Sequence, residues 1–576
     1  MPTLTRPYST LMLLLVLAIG GLAFQSRNAP LILDDVDQLQ HVMSFRQAAD
    51  WFGPDAYGLL RPIKNLMFWP IRQAGTHGPQ VAHATSLLAY IMTALLLLLW
   101  IQRLFKSTEW AAVGAAIWAL SPTQVSCLTW VSCANILICV SCMLASLCIW
   151  DARRKRLETE PAATQHAAIG AAMLLYAVGF FAYEVAITLP ILLVLQDRIQ
   201  GRKIASREAI LQYAWPAATT ILLLAARWLC VTTNTPDNPG IHASHGQITL
   251  ASAFFLIDHL KQWILPFGKQ EILGTFVWGA SAPPSALMAA WVTAGALLWL
   301  AFMARRRAPL TAFGIGWFLI TFLPMSNLIP LRVGPFADYY LALPSIGLAI
   351  ATTDLLRRAT ARARRDTGPR WKYRLSLSVV IAVIAWRGSS AITACQWARS
   401  WNTPEILFRQ SIQSRPCAFR SRTNLARHLK LQNSLPEAET LAFQAQAEAP
   451  WYAAPCNVLG DIHNQKGDHG TAKAWYAEAL ARDPSDDFSR YALAYTCETW
   501  LNEPGIAERE YGDLVRPTAP ITPYKRMAYL NLSRLYAESG RAASAVQILE
   551  RATVEFPRSR DIRNNLAMAL RDAQPR

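Results

Sequence analysis

LGDIHNQKGDHGTAKAWYAEALARDP, residues 459–484, sets small and apolar residues at fixed offsets: Leu459-Gly460, His463, Gly467, Ala472, Tyr476, Ala479 and Pro484. Thirty-four residues upstream the same offsets hold Leu425-Ala426, Leu429, Ala438, Ala445 and Pro450. A degenerate copy starts at Leu493-Ala494. A better one carries Leu532, Tyr536, Gly540, Ala545, Ala552 and Pro557, and a half-copy begins at Leu566-Ala567. A period of this length encodes one pair of helices per copy. Small residues let the two helices approach closely, and the proline stops the second. Such pairs cannot bury their apolar faces alone, so they stack into a curved array with a concave surface. The array carries no chemistry; its plain use is to dock a protein.

These offsets are those of the tetratricopeptide repeat. Upstream of them the composition changes. The chain has 576 residues, 53% hydrophobic and only 16% charged, against about a quarter charged in a soluble globular protein. The long apolar stretches that make the difference end near residue 396. The expected fold is therefore all-α, in two parts. Residues 1–395 form a polytopic membrane domain, 396–418 a linker, and 419–576 a soluble repeat domain.

The formal net charge is +17, but it sits largely in clusters between apolar stretches: Arg153-Arg154-Lys155-Arg156, Arg202-Lys203, Arg305-Arg306-Arg307, and the run from Arg357 to Arg374. Short basic loops mark the cytoplasmic side of a membrane protein. That distribution excludes nucleic acid as a partner. The cysteines form no CxxC pair in the soluble part, which argues against zinc.

Residues 9–25 read as a retained first helix rather than a cleaved signal, because no small-x-small site follows and many spans do. Further spans are expected near 82–101, 110–124, 131–150, 166–183, 185–197, 209–230, 285–304, 309–324, 339–357 and 374–395. Pro122, Pro190 and Pro324 interrupt some of these, and 251–266, with Asp258, His259 and Lys261, reads as a helix lying in the interface. About eleven crossings from a cytoplasmic start put the basic clusters inside and the repeats outside. The expected location is a bacterial inner membrane, with the repeats in the periplasm.

Ionisable residues at the outer ends of spans are candidates for chemistry, because burying them is costly without a purpose. Asp34, Asp35 and Asp37 follow the first span. Adjacent Asp34 and Asp35 cannot share a helix face, so one can enter a cavity while the other caps or pairs. A carboxylate there can act as general base or bind a divalent cation; the plain alternative is a solvated acidic turn. Arg61, Lys64 and Arg332 are candidates for holding a lipid-linked phosphate, the alternative being headgroup anchoring. His83, Glu184, Asp338 and Tyr339 complete the set.

Taken in order, several segments resemble the family of transmembrane and tetratricopeptide repeat-containing protein O-mannosyltransferases and its bacterial relatives, in the GT-C class. They are Leu33-Asp34-Asp35-Val36, Leu60-Arg61-Pro62, Ser121-Pro122 with Trp130-Val131-Ser132, and Tyr183-Glu184-Val185-Ala186-Ile187-Thr188-Leu189-Pro190. Asn327-Leu328-Ile329-Pro330-Leu331, Ala337-Asp338-Tyr339-Tyr340-Leu341-Ala342-Leu343-Pro344 and Arg399-x-Trp401 follow. The resemblance implies a glycosyltransferase that takes a sugar from a polyprenyl-phosphate donor and gives it to an extracytoplasmic acceptor, a protein docked by the repeats. It implies a catalytic carboxylate at Asp34 or Asp35 and roles for Glu184, Arg332 and Asp338. Where family members carry His-Pro-x-His-x-Glu, this chain has Ser121-Pro122-Thr123-Gln124-Val125-Ser126. That exchange removes ligands for a cation such as Mg or Mn, which would fall to Asp34 or Asp35. The alternatives are a non-catalytic membrane-anchored scaffold and a ligase of whole glycan chains, a class marked by one very large late loop that is not found here.

Overall fold

The computed structural model describes residues 6–45, 47–155, 162–230, 241–265, 274–278, 281–328, 336–365, 370–414, 417–519, 522–557 and 559–572. The chain forms two compact units, Met1–Cys417 and Ala418–Arg576. Both are helical; among the described residues the one strand pairing is parallel and two residues long, Ile241–His242 with Phe276–Val277.

The second unit is built of antiparallel pairs: Phe419–Leu431 with Leu435–Glu448, Ala454–Gln465 with His469–Arg482, Asp487–Thr499 with Pro504–Leu514, and Pro523–Glu538 with Ala542–Glu555, followed by Arg560–Asp572. Second helices end two residues before Pro450, Pro484 and Pro557. The turn within each pair needs a residue at positive φ, and the sequence supplies Asn433 (63°), Gly467 (81°), Asn502 (53°) and Gly540 (74°). Gly and Asn are the residue types that adopt this conformation at least cost. Gly460 is required for a different reason: a Cβ there would lie 2.6 Å from the Tyr476 ring. Gly460→Ala is expected to lower the stability of this unit by about 1–3 kcal/mol by overpacking. An earlier urea midpoint of the solubilised full chain would show it. Gly470→Ala is the control, since its added Cβ meets nothing within 4 Å.

Among the described residues of the first unit six helices are long and apolar enough to cross a membrane: Gly75–Phe105, Val131–Arg154, Thr164–Ala182, Arg207–Cys230, Pro284–Arg307 and Tyr373–Ser400. Leu222, Trp228 and Val292 are 70, 81 and 74% exposed, as expected of a face turned to lipid. Inside, Trp100, Trp118 and Trp317 are buried with their indole N–H groups satisfied by Gln196, Ala342 and Leu343 respectively. Gly314 and Gly347 face each other where Pro309–Phe322 crosses Pro344–Arg365; a Cβ on either would sit 2.2–2.3 Å from the other's carbonyl oxygen. Small residues allow that backbone approach between apolar helices.

The expectation of about eleven spans is corrected to these six, or seven if one bent pair crosses as a unit. Pro122 breaks 108–129 into Thr108–Ala119 and Pro122–Thr129, which meet at 66°. Leu189–Ile199 has 11 residues, a rise of about 16 Å against about 30 Å of hydrocarbon. Pro309–Met325 is also shorter, whereas the N-terminal helix Arg6–Gln25, with 20 residues, is at the length a crossing needs. Pro344–Arg365 is long enough but carries Asp354, paired with Arg357 and Arg358. The segment read as a linker is helical through Ile412, and Trp397, Trp401 and Leu407 are buried within the first unit. The segment read as interfacial, 251–266, belongs to the longer helix His245–Ile264, whose Ser244 and Gln247 form a capping box.

Candidate functional site

Leu33 precedes the acidic pair at φ 54° and ψ −131°, a conformation that costs a non-glycine residue about 1–3 kcal/mol. The helix Asp34–Met43 starts there, and its buried Gln38 fixes it by donating to Asn65 Oδ1 at 2.8 Å and accepting from the Ala56 N–H at 3.2 Å. Asp35 turns inward and is 1% exposed; its Oδ1 accepts the Ser132 N–H at 2.6 Å. Asp34 stays partly exposed, and exposed Asp37 accepts from the Tyr57 hydroxyl at 2.8 Å. The adjacent aspartates thus divide as their helix positions require.

Six residues before Ser132, Ser126 donates to Asp338 Oδ2, and Trp397 Nε1 donates to the same oxygen at 3.4 Å. The Tyr339 N–H donates to Asp338 Oδ1 at 2.8 Å. One segment, 126–132, therefore holds two buried carboxylates from distant parts of the chain. Trp130 lies in this segment, edge-on to Tyr339 and beside Trp401. Among the described residues neither Asp35 nor Asp338 has an ion-pair partner. Burial pushes both up, against their hydrogen bonds, to about 7. Carboxyl groups shifted toward neutrality by burial are typical of sites that move protons.

Next to this pair is an ion-paired group. Arg61 grips Glu184 with Nε at 3.0 Å and Nη2 at 2.7 Å, its guanidinium lying 4.6 Å over the Tyr183 ring. Arg227 meets the other side of Glu184 at 2.5 Å. Buried Asp55 accepts two backbone N–H groups through Oδ1, and its Oδ2 faces Lys64 at 3.6 Å and Arg61 at 3.8 Å. Burial works against the Glu184 charge, but Arg61 and Arg227 outweigh it and hold the carboxyl down to about 2. Arg61 and Lys64, expected to hold a phosphate, are matched to carboxylates instead. Three cations (Arg61, Lys64, Arg227) against two carboxylates (Asp55, Glu184) still leave one net positive charge.

The structure thus gathers Asp34, Asp35, Asp37, Arg61, Lys64, Glu184, Asp338 and Tyr339 in one part of the first unit. It does not bring in His83, whose Nε2 donates to the Ala29 carbonyl at 2.8 Å and ties down the chain after the first helix. Arg332 lies outside the described residues, as do residues 329–331. Arg227 and Asp55 are additions. Arg227 was hidden at the end of an apolar stretch; Asp55 could have been found from its Asp-x-x-x-x-x-Arg-x-x-Lys spacing to Arg61 and Lys64. No group of three or more His, Cys, Asp or Glu converges among the described residues. Within the Ser121–Gln124 turn the hydrogen bonds join neutral side chains, including Gln124 Nε2 to Ser345 Oγ at 2.9 Å, while Ser126 serves Asp338.

Family comparison covers only the second unit. The tetratricopeptide repeat model matches residues 453–486 and 528–553. Those stretches are tetratricopeptide repeats. The gap between the matched repeats contains the degenerate copy that starts at Leu493-Ala494. A search of the curated proteins returned no significant match. Among solved structures, a thermophilic repeat protein of Thermus thermophilus is 19% identical, with 38% of this chain and 99% of that one covered and a TM-score of 0.24. Yeast Tom70 is 12% identical, with 83% and 95% covered and a TM-score of 0.26. Cut9, from the APC/C hetero-tetramer Cut9–Hcn1, is 13% identical, with 82% and 95% covered and a TM-score of 0.26. The repeats suit protein–protein interaction in general.

Proposed function

We propose that this chain is a membrane glycosyltransferase of the GT-C type, moving a sugar from a polyprenyl-phosphate donor to an acceptor hydroxyl outside the cytoplasm. The observation that supports it best is the pair of buried carboxylates without counterions, Asp35 and Asp338, held by one segment beside a group with net positive charge. Asp35 takes the proton of the acceptor hydroxyl as its oxygen attacks the anomeric carbon. The bond from that carbon to the phosphate oxygen breaks, and its electron pair leaves with the phosphate. The net positive charge around Arg61 and Arg227 favours that developing anion. The repeats then bind a protein acceptor on the periplasmic side of an inner membrane, a placement that needs the N-terminal helix Arg6–Gln25 to cross together with the six named above.

A second reading, a membrane-anchored scaffold without catalysis, is favoured by the neutral network at Ser121–Gln124. Membranes containing the full chain, given a polyprenyl-phosphate-linked radioactive sugar, separate the two. Transfer of label above that of membranes lacking the chain is expected; label remaining entirely on lipid would sink the enzyme reading. Ending the chain at Cys417 is expected to reduce labelling of protein by about tenfold or more through lost local concentration. Labelling at the full rate by the shortened chain would show that the repeats do not recruit the acceptor.

A further inference from the structure

Residues 26–33 form a short strap between the first helix, Arg6–Gln25, and the helix Asp34–Met43 that carries Asp35. The start of the strap is clasped by the turn that follows the helix Arg370–Ser400. Asn402 accepts the Asn28 N–H through Oδ1 at 2.9 Å and donates through Nδ2 to the Gln25 carbonyl at 2.6 Å. Arg399 Nε donates to Gln25 Oε1 at 2.6 Å, and His83 holds the Ala29 carbonyl. Beyond the strap, Asp34–Met43 is fixed by Gln38 and by Arg72, whose Nη1 donates to the Val42 carbonyl at 3.0 Å.

Between these two anchors the chain closes through a turn that leucine does not favour. The Asp35 N–H bonds to the Ile32 carbonyl at 3.1 Å. Leu33, at φ 54° and ψ −131°, has the angles of the first central residue of a type II′ turn, a glycine position. A leucine stays there only while its surroundings over-determine it. The clasp is the anchor on the N-terminal side, and one amide, that of Asn402, makes both of its bonds to the backbone. The same end of the helix Arg370–Ser400 also reaches the other carboxylate. Trp397, in its last turn, donates to Asp338 Oδ2, and Trp401 is fully buried beside Trp130. We propose that Asn402 is a positioning residue for Asp35: its amide clasps the strap, so the Leu33 turn stays closed and the carboxylate stays on the Ser132 N–H. The proposal rests on the transfer reading, in which Asp35 is the base, and Asn402 acts only through the strap.

Amide hydrogen exchange of the solubilised full chain, read by mass spectrometry, follows the placement without any sugar. The Ser132 N–H reports Asp35 and the Tyr339 N–H reports Asp338. Asn402→Ala should speed exchange at Ser132 by at least about tenfold and leave Tyr339 unchanged. Its kcat for transfer from a polyprenyl-phosphate-linked radioactive sugar should fall by about 10–100-fold, with KM little changed. Asn402→Asp keeps the acceptor for the Asn28 N–H and loses the donor. It should show a smaller rise at Ser132, and it reads the proposal even if the alanine variant fails to fold. Adding Leu33→Gly to either variant should return most of the Ser132 protection, because glycine holds the turn without the clasp. Packing lost at Asn402 would not be restored that way. Unchanged Ser132 exchange in both Asn402 variants, equal acceleration at Ser132 and Tyr339, or no return with Leu33→Gly would overturn the assignment. If exchange behaves as stated but no chain transfers sugar, the enzyme reading fails and the placement of Asp35 by Asn402 stands.

Discussion

Asp35→Asn is expected to reduce sugar transfer by about 10²–10⁴-fold, the range for loss of a general base, while Asp34→Asn leaves most of the rate. The difference follows from placement: Asp35 is buried on the Ser132 N–H, whereas Asp34 is partly exposed. The rate should rise with pH through about 7, where Asp35 loses its proton, and that rise should be absent from the residual activity of Asp35→Asn. Stability should move oppositely. A carboxyl raised by folding contributes stability that is fully present below its unfolded value near 4 and is lost as pH rises through about 7. Above pH 7 Asp35→Asn should therefore melt higher than the parent, by several kcal/mol at most. Labelled-sugar transfer and thermal melts between pH 5 and 9 check both. Equal rates in the two Asn variants would remove Asp35 from its role.

Glu184→Gln is expected to cost about 3–5 kcal/mol of stability, because it leaves Arg61 and Arg227 facing each other without their shared counter-charge. A double variant, Glu184→Gln with Arg227→Met, should regain part of the loss, since it removes one of the two stranded cations. Lost packing would not be regained that way. The Glu184 carboxyl is held down to about 2, so its stabilisation is present above about pH 4.5 and disappears as pH falls toward 2. Melting temperatures of the three chains in detergent decide it; a Glu184→Gln loss below about 1 kcal/mol would show the triad to be energetically idle.

The repeats were legible because each copy writes its packing locally. Gly460 is small where the Tyr476 ring lies, and Gly467 or Asn433 stands where the turn needs positive φ. Membrane crossings were less legible. Apolar composition reports burial in protein as readily as burial in lipid, so the buried Pro309–Phe322 and Leu189–Ile199 read like spans until their lengths were seen. Most residues of the candidate site are legible in the sequence, but their pairings are not.

Spacing and composition suffice for an all-helical chain with an apolar first part and an array of helix pairs after it, because periodicity and turn chemistry act over a few residues. They also mark Asp34 or Asp35, Glu184 and Asp338 as candidates. Packing alone reveals that Arg61 serves Glu184 rather than standing open, that Arg227 joins it, and that Ser126 and Ser132 bring Asp338 and Asp35 to one segment. The reason is distance along the chain: Arg61 and Glu184 are 123 residues apart, and Ser126 and Asp338 are 212 apart. Nothing local in a sequence states which charges will meet when helices that far apart come together.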